Sequence, residues 1–236
     1  MKEIRPAATI LLLRSHPKNG LEALLLKRNK KLKFGPGFWV FPGGKIEEAD
    51  IDATMNEEEA AKLAAVREAK EEAGLDLSTK ELTYFCHWTT PAVQPRRFST
   101  SFFYAFIKDG SVKITIDDSE IKDHLWITPK EALAKSKDRT LPIMPPTFLA
   151  LQRIHQCTTH EEVLAELKKY QPRVLPTIGL KGKIVYCLYE GDAGFKNGDV
   201  DCPGPRHRLV GPMDGNYTFE YSEDCEVAPV NGGNHV

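Results

Sequence analysis

The stretch VREAKEEAGLDL, Val66 to Leu77, places Arg67, Glu68, Glu71 and Glu72 within six positions and follows them with Gly74. On a helix, Glu68 and Glu72 are four apart and share a face, and Glu71 lies beside both. Like charges so spaced repel by roughly a few tenths of a kcal/mol per pair, and Arg67 can offset part of this by reaching Glu71. Two chemistries fit. One is a solvated acidic face with no further role. The other is a seat for a hard divalent cation, Mg2+ or Mn2+, which takes oxygen ligands and keeps waters while bridging to phosphates. Spacing alone does not separate them.

The chain around these residues sets bounds. Its 236 residues suit one domain with a substantial extension, and an apolar share of 41% is enough for a globular core. A net charge of -1 gives no general electrostatic reason to bind nucleic acid or an anionic membrane. The apolar run Ala7 to Leu13 is far too short to span a bilayer and is not followed by a small-residue cleavage site. The closing GGNHV is not an S-K-L type address. Five scattered cysteines without a C-x-x-C pair signal neither zinc nor a disulfide framework, so free thiols in a reducing cytoplasm are expected.

The elements that must position the acidic residues follow from pattern. AATILLLR and LEALLLKR, around Asn19-Gly20, read as a β-hairpin whose strands are covered on both faces. A glycine- and proline-punctuated loop follows, then a short strand at Phe38–Phe41 and a tight turn. Residues 46–55 are acidic and irregular. Asn56 is the expected helix cap with Glu59 as its capping-box partner, and Ala60, Leu63, Ala64, Val66 and Ala69 are the expected buried stripe. Gly74 ends the helix in the left-handed conformation. LTYFCHW, FSTSFFYAFIK and SVKITI read as strands. Thr128-Pro129 starts another helix, with Glu131 as the box partner. PPTFLALQRIHQC and the segment capped by Thr159 with Glu162 are two more, and KIVYCLYE returns to strand. No repeat or long linker interrupts the chain.

GGKIEEAD, a gap, then REAKEEAGL closely resembles the Nudix box, in which a glycine, five residues, a glutamate and seven residues precede R-E-U-x-E-E-x-G-U, U being a bulky aliphatic. Gly44 takes the first position, and Arg67, Glu68, Glu71, Glu72, Gly74 and Leu75 take the second block in register. The preceding FWVFPGG and the later WITPKEAL are also similar to that family, over roughly Ile4 to Ser136. Three positions depart. Asp50 replaces the first glutamate, leaving Glu47, Glu48 or Asp52 as substitutes for its role. Residues 51–66 are sixteen where seven are usual. Ala69 is small for its place. The resemblance implies an α/β/α sandwich around a mixed β-sheet, with residues 1–140 as the Nudix domain. Residues 141–236 would be a C-terminal helical and strand elaboration packed on it. It further implies metal-dependent hydrolysis of a nucleoside diphosphate linked to another moiety. Glu68, Glu71 and Glu72 with the Gly44 carbonyl would be the metal ligands and Arg67 an orienting ion-pair partner. Glu120, six residues before Trp126, would be a further ligand or base, beside Asp117, Asp118 and Asp123 in the same loop.

A second resemblance, to the coenzyme A diphosphatase branch, lies in LLLKRNKKLKFGPGFWVFPGG. Leu24, Leu25, Arg28, Gly37 and Phe41 to Gly44 match its spacing, while Leu26, Asn29 and Lys33 depart from it. That branch also carries an inserted box. Coenzyme A or an acyl-coenzyme A is the substrate so implied, with Arg28, Lys33, Arg96 and Arg97 as candidates to meet its extra phosphate. The alternatives are a Nudix pyrophosphatase acting on ADP-ribose, NADH or a dinucleoside polyphosphate, and a non-catalytic nucleotide-binding module. The three intact glutamates argue against the last. The expected partner is thus a small nucleoside diphosphate derivative, not nucleic acid or membrane; a homodimer is implied by the family alone.

Overall fold

The computed structural model describes residues 3–108, 112–212 and 215–232. Strand β1 (Ile4–His16) and β2 (Gly20–Arg28) form the expected hairpin. Short strands β3 (Trp39–Val40) and β4 (Gly43–Lys45) follow, then the long helix α1 (Glu57–Ala73). Next come β5 (Thr83–Thr89), β6 (Arg97–Ile107), β7 (Ile121–Ile127) and α2 (Pro129–Lys137). Helices α3 (Pro145–Ile154) and α4 (His160–Lys169) lead into β8 (Arg173–Val174). The chain closes with β9 (Thr177–Lys181), β10 (Ile184–Leu188), β11 (His207–Gly211) and β12 (Thr218–Tyr221).

The large sheet runs β3-β2-β1-β6-β5-β8, with β4 also on β1 and β7 also on β2. It is mixed: β1 pairs parallel to β6 but antiparallel to β2 and β4. Strands β9 to β12 form a separate antiparallel sheet. One face of the large sheet packs on α1 through Ile10, Leu12, Leu24, Phe103 and the helix alanines. The other packs through Leu11, Leu13, Phe85 and Tyr104 on α3, α4 and residues of the small sheet such as Leu209. Both faces of β1 are therefore covered, which is why Ala7 to Leu13 is apolar without alternation. The result is a mixed sheet between helical layers, as the fold expectation had it.

Helix α1 starts and stops where its sequence dictates. The Asn56 side chain accepts the Glu59 N–H, and the Glu59 carboxylate accepts the Asn56 N–H. Gly74 takes φ 70°, a left-handed conformation costing a side-chain-bearing residue about 1–2 kcal/mol. The face laid on the sheet is almost all alanine: Ala60, Ala61, Ala64, Ala65, Ala69 and Ala73. Small side chains bring the helix axis close to the strands, and a larger one would overpack at about 1–3 kcal/mol.

Two expectations need correction. Leu63 is only half-covered; it faces away from the sheet and, with Val66, Leu75, Leu77 and Ala49, lines a surface groove of about 330 Å³. The alanines win the sheet face because the helix lies too close for leucine. SVKITI does not form a strand: residues 112–116 are irregular, and Ser111 lies outside the described residues. Its alternation is used differently. Ile114 is buried against the α1-side core, and the Thr115 N–H donates to the Ala73 carbonyl at 3.0 Å, satisfying an end carbonyl of the helix instead of a ladder.

Candidate active site

The segment FPGG is shaped by its contacts with β1. The Pro42 carbonyl accepts both the Thr9 hydroxyl at 2.8 Å and the Ile10 N–H at 2.9 Å. Gly43 has φ 154°, and a Cβ there would collide with the Ala8 carbonyl oxygen. Gly44 pairs with Ala8, and a Cβ on it would overlap the Glu68 carboxylate. The two glycines thus let the acidic side of α1 sit directly on the end of β4. The long insertion does not separate Gly44 from Glu68; both lie in one place.

Arg67 organises that side. Its Nε and Nη2 donate to the two oxygens of Asp50 at 3.0 and 2.8 Å. Nη1 reaches Glu68 at 3.0 Å and Glu71 at 3.2 Å, and Nη2 also donates to the Lys45 carbonyl at 2.9 Å. Asp50 is therefore the acid that fixes Arg67, and its own Oδ2 accepts the Glu47 N–H at 2.9 Å. Burial alone would raise the Asp50 pKa, but the Arg67 hydrogen bonds outweigh it and hold the carboxyl below its ordinary value. The same bonds raise the Arg67 pKa further.

Glu72 is in the opposite condition. It is buried and accepts the Gly43 N–H at 3.0 Å. Burial, with the charges of Glu68 and Glu120 added, pushes its pKa up to about 8 against the pull of that amide and of Arg28. Glu68 is raised too, by burial first and then by Glu71 and Glu120, despite Arg67. Glu71 is largely exposed. Glu120, at the mouth of β7, stands 3.9 Å from Arg28 Nη2. Their pairing is not legible in the sequence, because it depends on β2 lying beside β7.

Among the described residues, no three His, Cys, Asp or Glu side chains stand ready to hold a metal ion as they are. Glu68 and Glu71 are turned onto Arg67, and Glu72 onto the Gly43 amide. The donor chemistry nonetheless fits a hard cation: hard oxygen donors whose mutual repulsion and burial leave negative charge uncompensated.

The expected phosphate-binding cations occupy the same end of the sheet. Arg28 donates Nε to the Phe34 carbonyl at 3.2 Å. Arg97 donates Nε to Thr90 at 3.0 Å, within the β5–β6 hairpin. Phe34 and Phe98 meet edge-on with ring centroids 5.1 Å apart, tying the loop that carries Lys33 to the start of β6. Lys33 and Arg96 are exposed. No helix among the described residues is long and apolar enough to cross a membrane.

Comparison with known proteins agrees with this geometry. The NUDIX domain family matches residues 3–146. A Caenorhabditis elegans protein carried under the name nudix hydrolase 7 is 30% identical over 214 residues, 74% of this chain and 70% of its own length. An acyl-coenzyme A diphosphatase of Xenopus laevis is 24% identical over 242 residues, 63% of this chain and 62% of its own length, so the chain spans less than two thirds of that relative. The crystal structure of a NUDIX hydrolase from Alicyclobacillus acidocaldarius superposes with a TM-score of 0.60 over 70% of this chain and 97% of that one, at 24% identity, which speaks for the fold. With the box residues assembled on α1 and β4, the chain belongs to the Nudix hydrolase family.

Proposed function

We propose that this Nudix hydrolase cleaves coenzyme A or a short acyl-coenzyme A at its diphosphate, giving 3′,5′-ADP and a 4′-phosphopantetheine. The reaction class, hydrolysis of a nucleoside diphosphate joined to another moiety, follows from the family. The substrate reading rests on the spaced match from Leu24 to Gly44, and the relative named as an acyl-coenzyme A diphosphatase supports it.

The observation carrying the active-site reading is Glu72. It is buried beside the Gly43 amide with Glu68 next to it and more carboxylates than cations around it. We assign Glu68, Glu71, Glu72 and the Gly44 carbonyl to a divalent cation, Mg2+ or Mn2+. When bound, such a cation screens the diphosphate, acidifies a water and stabilises the charge of an in-line displacement. Asp50 holds Arg67, and Arg67 holds Glu71 and Glu68, the latter with its carboxylate against Gly44. Glu72 takes its direction from Gly43. Glu120, 3.9 Å from Arg28, would accept the proton of the attacking water. Arg28, Lys33, Arg96 and Arg97 supply the positive charge that holds the substrate phosphates.

A substrate panel with Mg2+ and with Mn2+, products identified by mass, tests this. Dephospho-coenzyme A is expected to show a kcat/KM about 10- to 150-fold below that of coenzyme A, the worth of one charge-assisted hydrogen bond. If ADP-ribose or NADH is cut with far higher kcat/KM than any coenzyme A ester, the substrate reading is wrong and the family reading stands.

A further inference from the structure

Four acids stand at the start of β7: Asp117, Asp118, Glu120 and Asp123. Three of them are committed to the chain itself. Asp117 Oδ2 accepts the Glu120 N–H at 2.8 Å, the Ser119 N–H at 3.2 Å and the Ser119 hydroxyl, and its Oδ1 accepts the Ile121 N–H at 2.9 Å. Asp118 pairs with Lys122 Nζ at 3.0 Å. Asp123 accepts the His124 N–H at 2.9 Å. The Glu120 carboxylate accepts no hydrogen bond among the described residues, and Arg28 stands 3.9 Å from it. Its charge is nonetheless felt by Glu68 and Glu72. Glu120 is thus uncommitted and directed at the α1 carboxylates.

An irregularity turns this end of β7 toward α1. Lys27 of β2 pairs with Asp123, but Arg28 pairs with Ile121, so Lys122 is an extra residue on β7. Trp126 and Ile121 are an odd number of positions apart, yet both pack on the α1 side. Strict alternation would put them on opposite faces. β-Bulges recur beside active sites because they re-aim side chains in this manner.

Beyond the bulge the Glu120 peptide is held from two sides. Its N–H goes to Asp117. Its carbonyl accepts the Asn29 N–H at 2.7 Å, and the Asn29 Nδ2 donates to the Ser119 carbonyl at 2.8 Å, across 90 residues of chain. Asn29 Oδ1 accepts the Lys31 N–H at 3.0 Å, which fixes the direction of that side chain. Between the two holds, Asp118 takes φ 53°, a left-handed conformation that Asp visits more readily than most residues. Burial acts to raise the Asp117 pKa, but the Ser119 hydroxyl and three amides hold the carboxyl below its ordinary value. Its bonds to those amides are therefore charge-assisted at neutral pH.

Such holding matters at this position. The Glu120 side chain is 59% exposed, so its carboxylate is placed only as well as its backbone is. A general base must come within about 2.6–3.2 Å of the proton it takes. A displacement of about 1 Å can cost about 100-fold in rate.

We propose that Asp117 and Asn29 are positioning residues of the hydrolysis, a clamp on the Glu120 peptide that sets its carboxylate where the attacking water loses its proton. The inference rests on the reading of Glu120 as the proton acceptor. Both residues act through Glu120, and neither is assigned a contact with substrate or cation. Asp117 is thereby separated from the acids of its loop that could serve the chemistry directly: its two oxygens are spent on the chain.

Two double-mutant cycles test this, Asp117→Ala with Glu120→Gln and Asn29→Ala with Glu120→Gln. They are run with Mn2+ on coenzyme A and on ADP-ribose in parallel and read on whichever is cut, with melting curves to establish folding. Glu120→Gln alone is expected to lower kcat by about 100-fold or more, the contribution of a general base. Asp117→Ala and Asn29→Ala are each expected to lower kcat about 10-fold, with KM changed less than about twofold. In the Glu120→Gln background the same substitutions should change kcat less than about twofold, because no base remains to be placed. A role in the fold alone predicts equal losses in both backgrounds. Unchanged kcat in the folded single variants, or losses that multiply with that of Glu120→Gln, overturns the clamp; should one variant fail to fold, the other decides. Wild-type kcat in Glu120→Gln sinks the proton-acceptor reading itself, and the clamp with it.

Discussion

Glu72 on α1 and Asp192 after β10 are equally buried, each 5% exposed, yet their surroundings differ in kind. Asp192 accepts Arg208 Nη2 on one oxygen and Nε on the other, both at 2.6 Å, and the Gly194 and His207 amides at 2.9 Å complete its shell. Burial works to raise its pKa, but those donors hold the carboxyl below its ordinary value. Glu72 has one amide, and its pKa rises to about 8. Around it, Asp50, Glu68 and Glu71 share the single guanidinium of Arg67. In the C-terminal region a buried charge is matched on the spot and serves the fold. At the box the carboxyls outnumber the cations, and Glu72 relieves the repulsion by holding a proton that a bound cation would displace.

The comparison can be broken first on the structural side. Arg208→Met leaves Asp192 buried and unmatched, a loss of about 3–5 kcal/mol. In a chain of this size that lowers Tm on the order of 10 °C. Activity at low temperature should persist, since Arg208 is remote from α1; a thermal melt with a parallel assay decides. Next in size, Glu72→Gln should lower kcat by about 100-fold or more, the scale of losing one stabiliser of transition-state charge. The metal-free fold should not weaken, because the amide still accepts from Gly43 and a repulsive charge is gone. A smaller effect is the pH dependence of metal-free stability. The folded pKa of Glu72 lies above its unfolded value of 4.5, so the folded state holds the extra proton between about 4.5 and 8. Stability is therefore full below that window and falls as pH rises through it. Melts in EDTA from pH 5 to pH 8 should show this decline in wild type and much less of it in Glu72→Gln. Smallest, Gly74→Ala should cost about 1–2 kcal/mol at φ 70° without changing the metal requirement.

Much of this was legible in the sequence because it is local. The Asn56–Glu59 capping box, the Gly74 stop, the β1–β2 hairpin and the in-register block from Arg67 to Leu75 depend on neighbours a few residues away. What was not legible depends on packing. The sequence offered Glu47, Glu48, Asp50 and Asp52 for one role, and only the short helical turn at Glu48–Asp50 aims Asp50 at Arg67. SVKITI has strand periodicity, but the end of α1 competes for its backbone. Leu63 has the right spacing for the core, but an alanine face leaves it no room. His87 sits on the α1 side only by the shift at Tyr84–Cys86, which no periodicity announces.

The central claim, that the α1 carboxylates are a charge surplus awaiting a divalent cation, is tested most directly by melting the protein at pH 8 across a Mn2+ titration. Wild type should be stabilised in a saturable way, by about 2.7 kcal/mol at a hundredfold excess over Kd, or roughly 5–10 °C. Glu72→Gln should gain much less. No shift in wild type, or an equal shift in both proteins, would contradict the account.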